Sequence, residues 1–255
     1  VPPGFTITTE VCNYFTENKK LPNNLDNEIK KPVNNLESIS DKRFGGAGTP
    51  LLLSVRSGGK VSMPGMMDSV LNIGLNDSNV SQLAKAFNDE RFALDSYRRL
   101  IQMYSNVVLG VEHERFEAVL ANKKRMDNID SDADFNVDQL NWIINAFKNT
   151  VERFTDSLFP QEPYEQLTGA IEAVFNSWQN KRAITYRKIN NIPDTLGTGA
   201  TIQTMVFGNL NDKSGTGVAF TRNPSNGDKE LYGEYLINAQ GEDVVAGIRT
   251  PYPIK

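Results

Sequence analysis

Cysteine and histidine are almost missing from this chain of 255 residues, which has one of each, Cys12 and His113. A single cysteine excludes an internal disulfide and fits a reducing compartment, so we predict a cytoplasmic location. One histidine without a cysteine pair also argues against a zinc site. We interpret Cys12 as a small buried hydrophobe and His113, which lies between two glutamates, as an inert surface residue.

Long apolar runs and clustered positive charge are lacking too. No stretch approaches the ~18 apolar residues that would span a membrane. The formal net charge is -4 and the basic residues are scattered, which argues against a nucleic-acid partner. We therefore expect neither a membrane nor a nucleic acid as partner. The chain starts at Val1 without a methionine or a leader, and we expect that an upstream segment has been removed.

Hydrophobic periodicity predicts a mixed α+β fold. We expect helices between about 78 and 166 and from 166 to 181, with a capping box at Asn136 and Gln139. A shorter helix in 18–42 is expected to break near Pro32. Predicted strands cover 5–8, 51–55, 201–207, 217–221 and 230–237. The segments 201–207 and 217–221 are expected to form a β-hairpin. The sequence thus predicts a helical insertion subdomain at 78–163 and a lobe made of 1–77 and 164–255.

The most suggestive local feature follows the predicted strand that ends at Arg56. Gly58 and Gly59 permit close backbone approach to a ligand, and Pro64 precedes a predicted apolar helix whose N-terminus would favour an anion. Arg56, Lys60 and Ser69 add charge and hydroxyl donors. The segment suits a polyphosphate, although its glycine spacing is not that of a Walker loop. From these residues alone, a phosphate site and an ordinary glycine-rich turn remain equal alternatives.

Three strings closely resemble the pyruvate, phosphate dikinases: SVRSGGKVSMPGMMDSVLNIGLND (54–77), RFALDSYRRLIQMYSNVV (91–108) and FGNLNDKSGTGVAFTRNPSNGDKELYGEYLINAQGEDVVAGIRTP (207–251). The resemblance covers the whole chain and is weakest in its helical part. It implies an ATP-grasp-like nucleotide-binding domain. It also implies that family's reaction, in which ATP, phosphate and pyruvate are interconverted with AMP, pyrophosphate and phosphoenolpyruvate through a phosphohistidine on a separate carrier domain.

The resemblance also implies a set of site residues. It assigns Arg56 to the nucleotide phosphates and to the charge of the transferring group, and makes it the candidate catalytic residue. The other residues implied to bind nucleotide are Gly65 and Ser69 at the phosphates, Gln203, Met205 and Val206 at the adenine edge, and, with weaker support, Glu234. In the alternative interpretation, Arg56 braces the loop by pairing with Asp68 or Glu234, and Glu234 is a structural partner of Arg222 or of a neighbouring strand.

Some parts of the family pattern have no counterpart here. The lysine of its glycine-rich segment, its acidic magnesium ligands and its carrier histidine are absent, and His113 does not match the carrier motif. The resemblance therefore implies ATP as substrate, Mg²⁺ held mostly by residues outside this chain, and the carrier domain of the same parent chain as partner, with a homodimeric parent as a further expectation. Two alternatives stay open, a related dikinase with another acceptor and a non-catalytic nucleotide-binding module.

We predict that the isolated chain forms neither AMP nor phosphoenolpyruvate from ATP, phosphate and pyruvate, because no residue in it replaces the carrier histidine. A coupled assay of the purified chain measures this. Turnover that persists after removal of trace full-length enzyme would contradict the prediction.

Overall fold

The computed structural model describes residues 1–245 and 250–254 of the chain. The described part of the chain contains both strands and helices, and six α-helices lie between its third and fourth strands. The predicted α+β class is therefore confirmed. The chain forms two compact units, Val1–Met205 and Val206–Lys255. In the described ranges, no helix combines the length and the apolar composition needed to cross a bilayer.

The first unit contains four strands and eight α-helices among its described residues. The strands are β1 (Gly4–Ile7), β2 (Leu53–Gly58), β3 (Ser69–Ile73) and β4 (Gly199–Thr204). The helices are α1 (Thr9–Asn18), α2 (Leu25–Ser40), α3 (Val80–Phe87), α4 (Glu90–Val107), α5 (His113–Asp127), α6 (Val137–Thr155), α7 (Pro163–Ser177) and α8 (Lys181–Ile189).

The four strands form one antiparallel sheet in the order β1-β4-β2-β3. Successive side chains of a strand point to opposite faces, and the sequence of β2 and β4 uses this alternation. Val55, Ala200 and Ile202 lie on one face and are fully buried. Helices α1 and α7 pack on the sheet and against each other. The ring centroids of Phe15 on α1 and Phe175 on α7 are 6.0 Å apart. The apolar face therefore forms the core of this unit.

The remaining helices extend the same unit. Helix α4 packs against β3 and α6, and α5 packs against α6, where the rings of Phe116 and Phe147 meet at 4.9 Å. The predicted capping box at Asn136 and Gln139 is confirmed. Helix α6 ends at Thr155, and Leu158, which follows it, is 74% exposed.

The second unit is smaller. It contains strands β5 (Gly215–Phe220), β6 (Tyr232–Ile237) and β7 (Tyr252–Pro253) and a helix, α9 (Gly241–Val245). The strands form an antiparallel sheet in the order β5-β6-β7. Among its described residues, Leu236 and Ala239 supply buried apolar side chains.

The expected β-hairpin between 201–207 and 217–221 is wrong. Strand β4 pairs with β1 and β2, whereas β5 pairs with β6 in the other unit. Ala200 and Ile202 are fully buried in the first sheet, while almost every residue of β5 is exposed. A hairpin with β5 would have offered β4 no apolar surface to cover these side chains. The burial of Ala200 and Ile202, and not the turn-rich sequence after β4, therefore decided how β4 pairs.

Two helix predictions are also wrong. The segment after Pro64 forms strand β3, not a helix, because Val70, Leu71 and Ile73 are apolar on both faces and are buried between β2 and the helices. Helix α2 continues through Pro32 without a break. Its stripe of Ile29, Val33 and Leu36 is buried, which offsets the cost of about 3 kcal/mol for an interior proline.

The interior of α4 contains a buried charge cluster. The Asp95 carboxylate accepts from Arg98 Nε at 2.9 Å and from Arg99 Nε at 2.9 Å. Burial alone would raise the pKa of Asp95, but the two guanidinium groups hold it well below its usual range. The Asp95 carboxylate therefore stabilises the fold at every pH at which it is ionised.

We expect Asp95→Asn to lower the free energy of unfolding by about 3 kcal/mol, because it leaves the buried Arg98 without its counter-charge. Urea denaturation measures the change, and the exposed Asp130→Asn serves as control. Since the pKa is lowered in the folded state, the contribution is present above about pH 4 and is lost as the pH falls below it. A difference that stayed constant into acid would contradict the assigned role.

Candidate functional site

Polar side chains occupy the face of the first sheet opposite to its apolar core. Arg56 on β2 lies directly across from Ser69 on β3 and from Thr201 on β4. Thr6 on β1 lies across from Thr201, and their hydroxyl oxygens are 3.2 Å apart. Residues directly opposite in antiparallel strands project to the same side. Thr6, Thr201, Arg56 and Ser69 therefore form a row across all four strands, here called the Arg56 row.

Gln203 lies on the same face, two residues beyond Thr201. Its side-chain Nε2 donates to the Pro2 carbonyl at 2.9 Å, and its own carbonyl accepts from the Ser54 hydroxyl at 3.3 Å. The Met205 N–H donates to the Leu52 carbonyl at 2.9 Å. The structure therefore leaves the Met205 carbonyl, and not its N–H, as the backbone group of that residue that can meet a ligand.

Residues 57–68, here called the 57–68 loop, comprise the last two residues of β2 and the connection from β2 to β3. The Met66 N–H donates to the Met63 carbonyl at 3.1 Å, which closes a turn around Gly65. Gly65 has φ +71°, a conformation that other residues rarely adopt, and a Cβ there would meet no atom within 4 Å. Open backbone at this turn is accessible to a ligand. Its N–H groups belong to a loop, not to a helix N-terminus as the sequence predicted.

Methionines attach the 57–68 loop to α8. Met63 is buried with Trp178 and Ala183, and Met66 and Met67 pack against the same cluster. Behind it, the fully buried guanidinium of Arg187 lies 4.1 Å from the Trp178 ring centroid. The tip of the loop is thus fixed by apolar packing although its flanks are polar.

Asp68 fixes the end of the loop by charge. Its carboxylate is paired with Arg182 and accepts from Asn180 Nδ2 at 2.9 Å. Arg182 Nε also donates to the Met66 carbonyl at 3.1 Å. The alternative in which Asp68 braces Arg56 is therefore wrong, because Arg182 and Asn180 hold this carboxylate.

Arg56 and Lys60 are exposed cations on or next to this face. Within Val1–Met205, all of which is described, neither side chain makes an ion pair or a side-chain hydrogen bond. The planar fork of Arg56 is thus free to take two oxygens of one anion, with the Ser69 hydroxyl next to it. The arrangement can bind a phosphate group through charge-assisted hydrogen bonds.

Val206 and Glu234 belong to the second unit. The Val206 side chain is 70% exposed. Glu234 is exposed on β6, across from Val218 and Pro253. Arg222, its suggested partner, donates to the Gly227 carbonyl at 3.2 Å, and no ion pair joins Arg222 to Glu234 among the described residues. The structure thus places Arg56, Ser69 and Gln203 on one face of the first sheet. Val206 and Glu234 belong to the other unit.

The Arg56 row lacks the side chains that hold a metal ion. Across residues 1–245 and 250–254, no group of three histidine, cysteine or acidic side chains is placed to hold a metal ion. The Arg56 row itself offers hydroxyl groups and a guanidinium but no carboxylate. These residues do not fit a magnesium site, so no magnesium ligand is assigned here.

Sequence reasoning missed the neighbours of Arg56 and the attachments of the loop. Thr6 and Thr201 join the row only through strand register, which is not visible before β4 is known to lie between β1 and β2. Arg182 and Asn180 lie more than 110 residues from Asp68 in the sequence. The closeness of Met63, Met66 and Met67 in the sequence was a usable signal, because three methionines in a polar loop indicate packing against a neighbouring surface.

Comparisons with known proteins agree on one family. The family model described as "Pyruvate phosphate dikinase, AMP/ATP-binding domain" matches residues 19–254. The chain is 53% identical over 255 residues to pyruvate, phosphate dikinase of Rickettsia conorii and 52% identical over 256 residues to that of Clostridium symbiosum. In both comparisons it is covered completely but spans 29% of the relative's length.

A plant relative extends the range of organisms. The chloroplastic pyruvate, phosphate dikinase of Mesembryanthemum crystallinum is 51% identical over 252 residues, which are 98% of this chain and 26% of the relative. Bacterial and plant proteins thus share about half of the residues of this chain, from one end to the other.

We expect Asp68→Asn to speed hydrogen exchange in the 57–68 loop about fivefold. Arg182 is half exposed, so its pair with Asp68 is worth about 1 kcal/mol, and 1.36 kcal/mol corresponds to a factor of ten. Exchange measured by mass spectrometry on loop peptides tests this, with Asp130→Asn as the matched control. Unchanged loop exchange in the variant would show that methionine packing alone holds the loop.

Proposed function

The chain belongs to the family of pyruvate, phosphate dikinase AMP/ATP-binding domains, as its sequence motifs predicted, and from this membership we propose that it binds ATP along the Arg56 row and the 57–68 loop. The observation that carries the proposal is the unpaired guanidinium of Arg56, held next to the Ser69 hydroxyl and ahead of an accessible loop. No carboxylate of the first unit neutralises this side chain, so an anion is its natural partner.

In this proposal the phosphates lie at the Arg56 end of the face. The fork of Arg56 takes oxygens of the group being transferred, Ser69 donates its hydroxyl, and the open backbone at Gly65 donates an N–H. A phosphoryl group in transfer spreads its charge over its equatorial oxygens, so positioned positive charge stabilises that state more than the bound substrate. Gln203, Met205 and Val206 are proposed for the adenine edge, and Glu234 for a further polar contact.

The rigidity of the loop supports this proposal. Electrostatic stabilisation of a transition state needs donors that are already in place, because moving them costs free energy during the reaction. The packing of Met63 against Trp178 and the pairing of Asp68 with Arg182 hold the loop at its middle and at its C-terminal end. Loop donors can thus face a phosphate without first being ordered by it.

We further propose that the chain is the nucleotide-binding part of a longer dikinase. In that enzyme ATP, phosphate and pyruvate would be interconverted with AMP, pyrophosphate and phosphoenolpyruvate, with a phosphohistidine on a carrier domain of the same protein as intermediate. Magnesium would neutralise phosphate charge there, and its ligands are proposed to lie outside this chain. The three relatives compared above carry the name pyruvate, phosphate dikinase, which favours this reaction over that of a dikinase with another acceptor or a non-catalytic module.

Four further features of the chain are proposed and stay predictions. They are the ATP-grasp-like character of the fold, the division into an insert at 78–163 and a lobe of 1–77 and 164–255, a homodimeric parent and a cytoplasmic location. Helix α4 of the proposed insert packs directly against β3, so an independent insert would have to move while this contact is kept. One relative is described as chloroplastic, so the location can differ within the family.

We expect Arg56→Ala to weaken ATP binding to the 255-residue chain about ten- to a hundredfold, because a charge-assisted contact is worth roughly 1.5–3 kcal/mol. Titration calorimetry measures the affinity. Arg125→Ala, which removes one positive charge from the exposed side of α5, is the matched control and should leave it unchanged. Lys60→Ala should have a smaller effect, since an ammonium is a point charge without a planar fork.

The same substitution separates binding from bracing. In the full-length enzyme, AMP formation by the Arg56→Ala variant should fall at least tenfold while the melting temperature stays nearly unchanged. A lowered melting temperature together with normal turnover of the folded enzyme would contradict the nucleotide role.

A further inference from the structure

A cavity of about 510 Å³ lies between α2, α4 and α7 of the first unit. Helix α7 also packs on the sheet. The residues of α7 that line the cavity are not among its buried core positions; they are Tyr164, Glu165, Thr168, Gly169 and Glu172. The cavity is therefore separate from the Arg56 row. Neither the proposed ATP site nor the carrier reaction uses it.

The walls of the cavity carry an excess of negative charge. Asp26, Glu165 and Glu172 line it, and Lys30 is the cation among the lining residues, so two formal negative charges are left without compensation. Within the fully described unit Val1–Met205, none of the three carboxylates makes an ion pair or a hydrogen bond. Burial and the nearby Asp26 raise the pKa of Glu172. The half-buried Glu172 would thus gain most from a positively charged ligand.

The Tyr104 hydroxyl lines the cavity and has no hydrogen-bond partner within the unit. Tyr104 as a whole is 2% exposed. It faces Gly169, where a Cβ would come within 2.4 Å of the hydroxyl oxygen. Burial and the carboxylates of Glu165 and Glu172 raise its pKa, so the group stays a neutral donor and acceptor. Because the rest of this side chain is buried, the hydroxyl can meet a polar group of a ligand only from the cavity.

The size and spacing of these groups favour an organic ligand over a metal ion. A water molecule takes up about 30 Å³, so a bare ion would leave most of the cavity empty. No three acidic side chains in the described ranges are grouped closely enough to hold one ion. Ile29, Leu109 and Pro160 add apolar wall between the charges. Pockets of this volume are typical of small-molecule sites.

We propose that this cavity binds a small aliphatic amine with two ammonium groups. One ammonium pairs with Glu172 and donates to the Tyr104 hydroxyl, the second pairs with Asp26, and the methylene chain between them lies against the apolar wall. Two positive charges match the two uncompensated negative charges. A smaller neighbouring cavity of about 150 Å³ shares Gly169 and Glu172 and is also lined by Asp68 and Asn180, so the ligand lies close to the residues that hold the 57–68 loop.

The test is a calorimetric titration of the 255-residue chain with 1,4-diaminobutane, with 1,4-butanediol and with magnesium chloride. We expect saturable binding of the diamine alone. Glu172→Gln should weaken it about tenfold, since one charge-assisted contact is lost, and Tyr104→Phe should weaken it several-fold. Glu152→Gln, on the exposed side of α6, is the matched control and should bind as the unchanged chain does. ATP affinity is measured in parallel, and diamine binding that persists in Arg56→Ala keeps the two proposals distinguishable.

Three outcomes would overturn the proposal. They are equal binding of the diol, binding of magnesium without binding of the diamine, and diamine affinity unaffected by Glu172→Gln. Should Tyr104→Phe fail to fold, as judged by circular dichroism, the exposed Asp26→Asn replaces it. This variant should also weaken the diamine, and an unchanged affinity would place the ligand elsewhere.

Discussion

The alternation of side chains along β2 is the constraint on which the rest of the structure depends. Val55 is completely buried, while the next residue, Arg56, is exposed on the other face. Because β2 lies between β4 and β3, its register also fixes which residues of its neighbours stand beside Arg56. A shift by one residue would put the guanidinium into the core and Val55 into solvent. Core packing and the position of the candidate site are thus set by one register.

The 57–68 loop is held in place at two points, its middle and its end, and not by a continuous ladder of hydrogen bonds. Methionine side chains attach its middle to Trp178 and Ala183, and a carboxylate attaches its end to Arg182 and Asn180. Both attachments use residues of α8 or the turn before it. The segment 178–194 therefore supports the site from behind, and the buried Arg187, which bonds to Asp194 at 2.7 Å, keeps that segment folded on itself.

Charge is distributed differently in two parts of the first unit. The Arg56 row and Lys60 present uncompensated positive charge, whereas the cavity between α2, α4 and α7 presents uncompensated carboxylates. A net charge of -4 for the chain hides this separation. Phosphates and ammonium groups would accordingly bind at different places, and neither would need to displace an existing ion pair.

The sequence by itself determined the family, the α+β class, the capping box of α6 and the choice of Arg56 as an exposed cation, because each depends on a motif or on neighbours within a few residues. It misjudged β3 as a helix and β4 as half of a hairpin. Short apolar segments fit helix and strand alike, and the decision comes from partners far along the chain. Only the tertiary structure brought Thr6 and Thr201 beside Arg56, paired Asp68 with Arg182 and left Tyr104 facing a cavity. These contacts join residues 65 to 195 positions apart, and the burial that selects them exists only after the helices have packed on the sheet.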